Sequence, residues 1–311
     1  MFRPILSSLC PFTRALRWAA LAGGATLAFA EPGVGELLEQ KTQARLQAYA
    51  HAHEGVIGLA AIDLTSGRTL TVNGDTVFTQ ASSIKIPLMV ELFRAAQASD
   101  YRLDDKITLT KADGVGGSGR LREELAKGPL TLSLRELIRP MIQFSDNTAT
   151  NRCIAIAGMS KVNALMDQLG LHHTRLQRVM LDSTGAAQRD QENVSTPLEM
   201  ARLAEMIYRG KLASSAEMIE LLKLVDDGWQ LPDAGFRGAI PKEIPVAAKP
   251  GSVRGVQCET GIVFLEHRPF VLSVMGVYLP EGSKPVSEAA RIVFDYFQTL
   301  AASNRYGNRT H

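Results

Sequence analysis

Cysteine is scarce: three occur in 311 residues, Cys10, Cys153 and Cys258. Cys10 falls within the first thirty residues, and the other two carry no spacing pattern that supports a disulfide. Cys153 lies in the apolar helical stretch "NRCIAIAG", where a buried thiol is expected. Histidine offers no metal site either. His51 and His53 are alternate residues before a strand, His172 and His173 fall in a loop, and neither HExxH nor a Cys/His framework occurs. No metal and no cofactor is therefore expected. An excess of positive charge is lacking too, with 34 basic residues against 32 acidic ones. Nucleic-acid binding, which shows as clustered basic charge, finds no support.

What is present begins with an export signal over residues 1–30. Arg3, Arg14 and Arg17 give a basic front, Trp18 to Leu27 an apolar run, and "AFA" before Glu31 a small-residue cleavage site. The run is shorter than the about 20 apolar residues a spanning helix needs, so no stable membrane insertion is expected after cleavage. Cleavage after Ala30 would release the chain to the periplasm or the medium. Three arginines and no acid leave with the signal, and the formal charge moves from +2 to −1. The length that remains suits a core shared between two lobes.

Strand signals sit at both ends. "GVIGLAAIDLTSGRTLTVNGD" (55–75) is two β-prone runs about a Ser-Gly turn, and "TGIVFLEHRPFVLSVMGVYL" (260–279) is two more about a His-Arg-Pro turn. "VGELLEQKTQARLQAYAHA" (34–52) reads as a surface helix with a thin apolar stripe including Leu37, Leu38 and Leu46. In "VSEAARIVFDYFQTLAAS" (286–303), Ile292, Val293, Tyr296, Phe297 and Leu300 share one helical face. The last residues, "NRYGNRTH", look like a frayed tail. Between Ser82 and about Leu224 the signals are mostly helical, as in "IPLMVELFRAAQAS", "NTATNRCIAIAG" and "TPLEMARLAEMIYRG". The pattern predicts an α+β fold. Segments 31–76 and 226–311 supply an antiparallel sheet with flanking terminal helices, and 77–225 an inserted all-helical lobe. The cleft between them is the expected ligand site.

Within "FTQASSIKIPLM" (78–89), Ser82 precedes Lys85 by three residues and Ser83 by two. Helical positions three apart share a face, so Ser82 and Lys85 are the pair that can touch, with Ser83 turned away as a helix-start residue. Alone this is weak, since S-x-x-K arises by chance roughly once in a chain of this size. Farther on stands Ser145-Asp146-Asn147, a tripeptide expected by chance in only a few per cent of such chains, and also a good helix cap. Lys249-Pro250-Gly251 follows, leading into a strand bounded by glycine.

With these three motifs in this order, the chain resembles the class A serine β-lactamases and their relatives, the penicillin-binding D,D-peptidases. The spacings, 63 residues from Ser82 to Ser145 and 104 from Ser145 to Lys249, fit the smaller members. The resemblance spans essentially the whole mature chain and implies the β-lactamase/transpeptidase-like fold. It implies that Ser82 attacks, that Lys85 takes its proton, and that Ser145 relays a proton to the leaving nitrogen. Asn147 would hold the substrate's amide side chain, and Lys249 would bring positive charge near the substrate carboxylate. The oxyanion would rest on the backbone N–H groups of Ser82 and Ser252, with Gly251 keeping that strand open to close approach. The implied partner is a small β-lactam or a D-Ala-type peptide, taken by a monomer.

Two departures from the family pattern stand out. Pro250 occupies a position usually held by Thr or Ser, so a hydroxyl for the substrate carboxylate is missing. In "TRLQRVMLDSTGAAQRDQENVSTPLEM" the flanks match without a gap, and Met180 then falls where family hydrolases carry the glutamate that activates water. Methionine is no general base. The nearest carboxylate, Asp182, either replaces that base or structures the loop by pairing with Arg178. Asn193 stands in place of the aspartate that usually clasps this arginine, which leaves Arg178 to find another partner. Three functions remain open: a hydrolase with slow turnover, a penicillin-binding or sensing protein that acylates without releasing product, and an inactive scaffold.

Overall fold

Two-residue alternation along the strands decides how the core is divided. The computed structural model describes Met1 and residues 33–181, 190–225 and 235–310. After helix α1 (Val34–Ala52), β1 (Val56–Asp63) and β2 (Thr69–Val72) form a hairpin. The short β3 (Phe78–Thr79) leads through a 3₁₀ turn, Ala81–Ile84, into α2 (Lys85–Gln97). β4 (Lys106–Leu109), α3 (Leu121–Leu125) and β5 (Leu130–Ser133) come next, and β4 pairs with β5. Then follow α4 (Leu134–Gln143), α5 (Asn147–Ala157), α6 (Met159–Gln168), β6 (Val194–Ser195), α7 (Pro197–Tyr208), α8 (Ser215–Lys223) and α9 (Gly235–Ala239). The chain ends with β7 (Val246–Val253), β8 (Val256–Val263), β9 (Phe270–Val277) and α10 (Pro285–Ala301).

Five strands make one antiparallel sheet in the order β2-β1-β9-β8-β7, so the first hairpin joins the last strands, as the two ends of the sequence predict. One face of the sheet buries Ile57, Leu59, Ala61, Leu272 and Val274 against α1, α9 and α10. The other buries Ala60, Ile62, Val271 and Met275 against the helices between α2 and α8. Both faces are covered, and both parities of β1 and β9 are accordingly apolar. On α10 the expected face is the buried one, and Phe297 stacks on Phe270 of β9 with centroids 4.3 Å apart. Such a ring pair adds about 0.5–1.5 kcal/mol beyond the area it buries.

Two expectations about the ends are corrected. Leu37 is exposed; the buried stripe of α1 runs through Leu38, Thr42 and Leu46, four residues apart, with Thr42 Oγ1 donating to Leu38 O at 2.9 Å. A hydroxyl satisfied by its own helix can be buried, which the apolar count misses. Residues 304–310 are no frayed tail. Asn304 N donates to Asn308 O and Thr310 N to Ala302 O, both at 2.9 Å, closing a turn onto the end of α10. Among the described residues no helix is long and apolar enough to cross a membrane.

Candidate active site

The 3₁₀ turn carries the first motif. Ala81 adopts φ +41°, a left-handed conformation that costs a β-carbon residue on the order of 1 kcal/mol or more. It redirects the chain from β3 into the turn. In a 3₁₀ helix residues i and i+3 lie one above the other, and Lys85, which caps the turn with its N–H on Ser82 O, stands over Ser82 on the same face. Lys85 Nζ sits 3.0 Å from Ser82 Oγ. The same amine donates to Ser145 O at 2.8 Å, Ser145 Oγ at 3.0 Å and Asn147 Oδ1 at 3.2 Å, and it is wholly buried. An ammonium has three protons for these four oxygens, and a neutral amine has a lone pair for a hydroxyl proton. Lys85 is thus placed to exchange a proton with either serine.

The second motif sits between α4 and α5. Ser145 takes φ +53°, which turns its side chain toward Lys85. Asp146 holds that geometry in place. One carboxylate oxygen caps α5 through Ala149 N at 2.8 Å, and the other accepts from Arg120 N and Leu121 N at 2.8 and 2.9 Å. Asn147 opens α5; its Nδ2 donates to Gly116 O at 3.0 Å and its backbone N to Ser118 O at 3.1 Å. The cap reading of Ser-Asp-Asn is met by Asp146, while Ser145 and Asn147 on either side of it reach Lys85.

The third motif lies on β7, the edge strand. Pro250 is tolerated there because an edge leaves one side of the strand unpaired. Gly251 passes against the 3₁₀ turn that carries Ser82: a β-carbon on it would stand 2.6 Å from Gln80 O and 2.7 Å from Ser82 N. Lys249 is wholly buried, with Nζ 3.0 Å from Pro250 O. Ser82, Ser145, Asn147, Gly251 and Ser252 all line one cavity of about 370 Å³, while Lys85 and Lys249 lie behind its wall.

Met180 and Leu181 close the cavity on the loop side. Asn151 fixes the Met180 backbone from both directions, accepting from Met180 N at 2.7 Å and donating to Met180 O at 3.1 Å. Asp182 lies outside the described residues. Arg178 pairs with Glu192, 2.8 Å from its Nη2, which supplies the other partner the sequence called for. Asn193 binds the loop backbone instead: Oδ1 accepts from Gln177 N and Arg178 N at 2.7 and 3.1 Å, and Nδ2 donates to Arg178 O.

Several contributors went unnoticed in the sequence. Asn151 follows Asn147 by four residues on α5, and a helical-face reading would have found it. The Gly116–Gly119 run is a visible glycine cluster, and Gly117 adopts φ +78° with Asn147 Nδ2 and Leu181 Cδ1 at 2.9 and 3.0 Å from where a β-carbon would stand. Glu192, Cys258 and the burial of Ser83 left no sequence signal. Burial pushes the Cys258 thiol up to about 11, and both Cys153 and Cys258 are free and buried.

The comparisons agree with this geometry. A family described as the Beta-lactamase enzyme family matches residues 41–297. The chain is 28% identical over 233 residues to β-lactamase CTX-M-97 of Escherichia coli, covering 74% of this chain and 79% of that one. A β-lactamase structure from Sphaerobacter thermophilus superposes with TM-score 0.74 at 30% identity, over 84% of this chain and 97% of the other. The structure of PBP-A superposes with TM-score 0.73 at 24% identity, over 83% and 96%, which is likeness of fold.

Proposed function

The chain belongs to the class A serine β-lactamase family and is a β-lactamase-like serine hydrolase, and from that premise we propose that it is an exported enzyme whose limiting step is release of the acyl group from Ser82. Lys85 accepts the Ser82 proton as Oγ adds to the lactam carbonyl carbon. The developing oxyanion is met by Ser82 N–H and Ser252 N–H. The C–N bond of the ring then breaks, and Ser145, in contact with Lys85, hands a proton to the departing nitrogen. Asn147 and Lys249 hold the substrate's amide side chain and carboxylate.

Met180 in the cavity wall is the observation that carries the proposal. Its thioether has no proton affinity to offer a hydrolytic water, and a positioned base is worth about 10²–10⁴-fold. The same observation favours the second reading, a penicillin-binding or D,D-peptidase-like protein in which the acyl-enzyme is the end point. A chromogenic cephalosporin, with mass spectrometry of the trapped protein, separates the alternatives. The expected result is a burst of about one product per enzyme, a slow steady phase and an adduct lost in Ser82→Ala. A burst without a steady phase selects the binding protein. Fast steady turnover, unchanged in Asp182→Asn, refutes slow deacylation, and absence of any adduct marks a scaffold. Slowing of the steady phase in folded Asp182→Asn makes Asp182 the substitute base.

A further inference from the structure

The nucleophile and the two oxyanion N–H groups are carried by different elements, Ser82 by the 3₁₀ turn and Ser252 by β7. Their separation must be fixed to a fraction of an ångström, since a misplacement of about 1 Å can cost 10²-fold in rate. Gly251 brings the two backbones into contact, yet having no side chain it cannot tie them together. Two buried side chains do. Ser83 Oγ donates to Lys249 O of β7 at 3.0 Å. Cys258, opposite Gly251 on β8, has its Sγ 2.9 Å from Gln80 O and 3.4 Å from Gly251 O.

We propose that Ser83 and Cys258 act together as positioning residues that lock the nucleophile turn onto the oxyanion strand. Each has one proton to give. With the hydroxyl proton on Lys249 O and the thiol proton on Gln80 O, their own 3.3 Å approach is a packing contact. One tie runs from turn to strand, the other from the neighbouring strand back to the turn, so together they resist sliding in either sense. Both side chains are buried, Ser83 at 0% and Cys258 at 2% exposure, and water does not compete for these carbonyls. The raised titration of the thiol keeps its proton in place through neutral pH. Neither side chain lines the cavity, so both act through Ser82 and Ser252. The proposal rests on the assignment of Ser82 as nucleophile of a lactam-opening enzyme.

The test uses the mature chain with Ser83→Ala, Cys258→Ala, Cys258→Ser and the double alanine variant. Two quantities are read: the acylation rate constant and half-saturation concentration for benzylpenicillin, and the affinity of phenylboronic acid. The boronic acid bonds its boron to Ser82 Oγ, the serine hydroxyl proton passing to Lys85, and sets a hydroxyl oxygen of the anionic tetrahedral boronate between the two N–H groups. Loss of an oxyanion donor costs about 10²–10³-fold. Displacement without loss is expected to cost each alanine variant on the order of tenfold, in acylation and boronate affinity alike, with half-saturation unchanged. Cys258→Ser, which keeps a donor, is expected to recover most of it. Parental values in folded alanine variants overturn the proposal, as does a Cys258→Ser as impaired as Cys258→Ala. Should Cys258→Ala unfold, Ser83→Ala, which removes a single oxygen, decides. A parent chain that takes the boronate and no penicillin refutes the lactam assignment alone, and the boronate affinities still decide the lock. A native chain that takes neither overturns both.

Discussion

Replacing Gly251 with alanine adds one methyl group where the backbones of β7 and the 3₁₀ turn touch. That carbon would meet Gln80 O, Ser82 N and Ser83 N at 2.6, 2.7 and 2.8 Å, where ordinary contact begins at 3.4 Å, leaving shortfalls of 0.8, 0.7 and 0.6 Å. All three obstacles are backbone atoms, so no side chain can swing aside. The turn is held from behind as well, with Gln80 N donating to Asn193 O at 2.8 Å and Ser83 N to Gln80 O at 2.9 Å. Strand and turn must therefore separate by most of the shortfall, moving Ser82 N relative to Ser252 N. Scaled against about 10²-fold per ångström, Gly251→Ala is expected to slow acylation roughly 10- to 100-fold. Overpacking adds a stability cost of about 1–3 kcal/mol. Burst kinetics with a chromogenic cephalosporin read the first, and urea unfolding the second. The loss should fall on the acylation rate constant, with the slow phase little changed. A folded Gly251→Ala that acylates within about twofold of the parent would refute the reasoning, because the close approach would then have no bearing on the chemistry.

Other outcomes follow from the loop and the helix caps. Met180→Glu, on a backbone pinned by Asn151, is expected to raise the slow phase at least tenfold, within the about 10²–10⁴ range of a general base, and to leave the burst rate unchanged; pre-steady-state kinetics check both. Asn193→Ala strips partners from Gln177 N and Arg178 N at a site 2% exposed and should cost about 1–3 kcal/mol. Glu192→Gln, which removes only a part-exposed ion pair, should cost under about 1 kcal/mol. The reverse order in urea unfolding would contradict the backbone role given to Asn193. Ser133→Ala breaks the capping box of α4, where Ser133 Oγ accepts from Glu136 N and Glu136 Oε2 accepts from Ser133 N at 2.7 Å; about 1 kcal/mol should be lost. Those hydrogen bonds from Ser133 hold the Glu136 carboxyl below its ordinary value. Its stabilisation is thus complete above the unfolded-chain value of about 4.3 and disappears as pH falls through the lower folded one. The melting-temperature gap between parent and Glu136→Gln should close over that acidic interval.

The sequence disclosed whatever depends on short spacing. Ser82 and Lys85 are three apart, Asp146 precedes an apolar helix, and alternating runs mark the strands, so local geometry alone carried those inferences. The 3₁₀ turn was not legible, yet it brings Ser82 onto Lys85 by the same spacing. The reach of Arg178 to Glu192 was hidden because they stand fourteen positions apart in the sequence, and only the fold brings them together. Ser83 reads as a helix-start residue and does turn away from Lys85. Its hydrogen bond to a strand far along the chain could not be read from either neighbour. Leu37 illustrates the opposite failure, an apolar residue assigned to a face that Thr42 in fact occupies.

The strand order has a consequence for the timing of folding. β1 is made early, yet in the sheet it lies between β2 and β9, with Val56 opposite Val277. Until β9 has been synthesised, β1 has only its hairpin partner, and a two-stranded hairpin is marginal in water. The chain between Asp63 and Phe270 must be looped out before the central pairing forms, and non-local closures of this kind slow folding. The five-stranded sheet therefore closes only once β9 has been made. The delay leaves the apolar strand β1 uncovered until β9 arrives, an aggregation hazard in the growing chain.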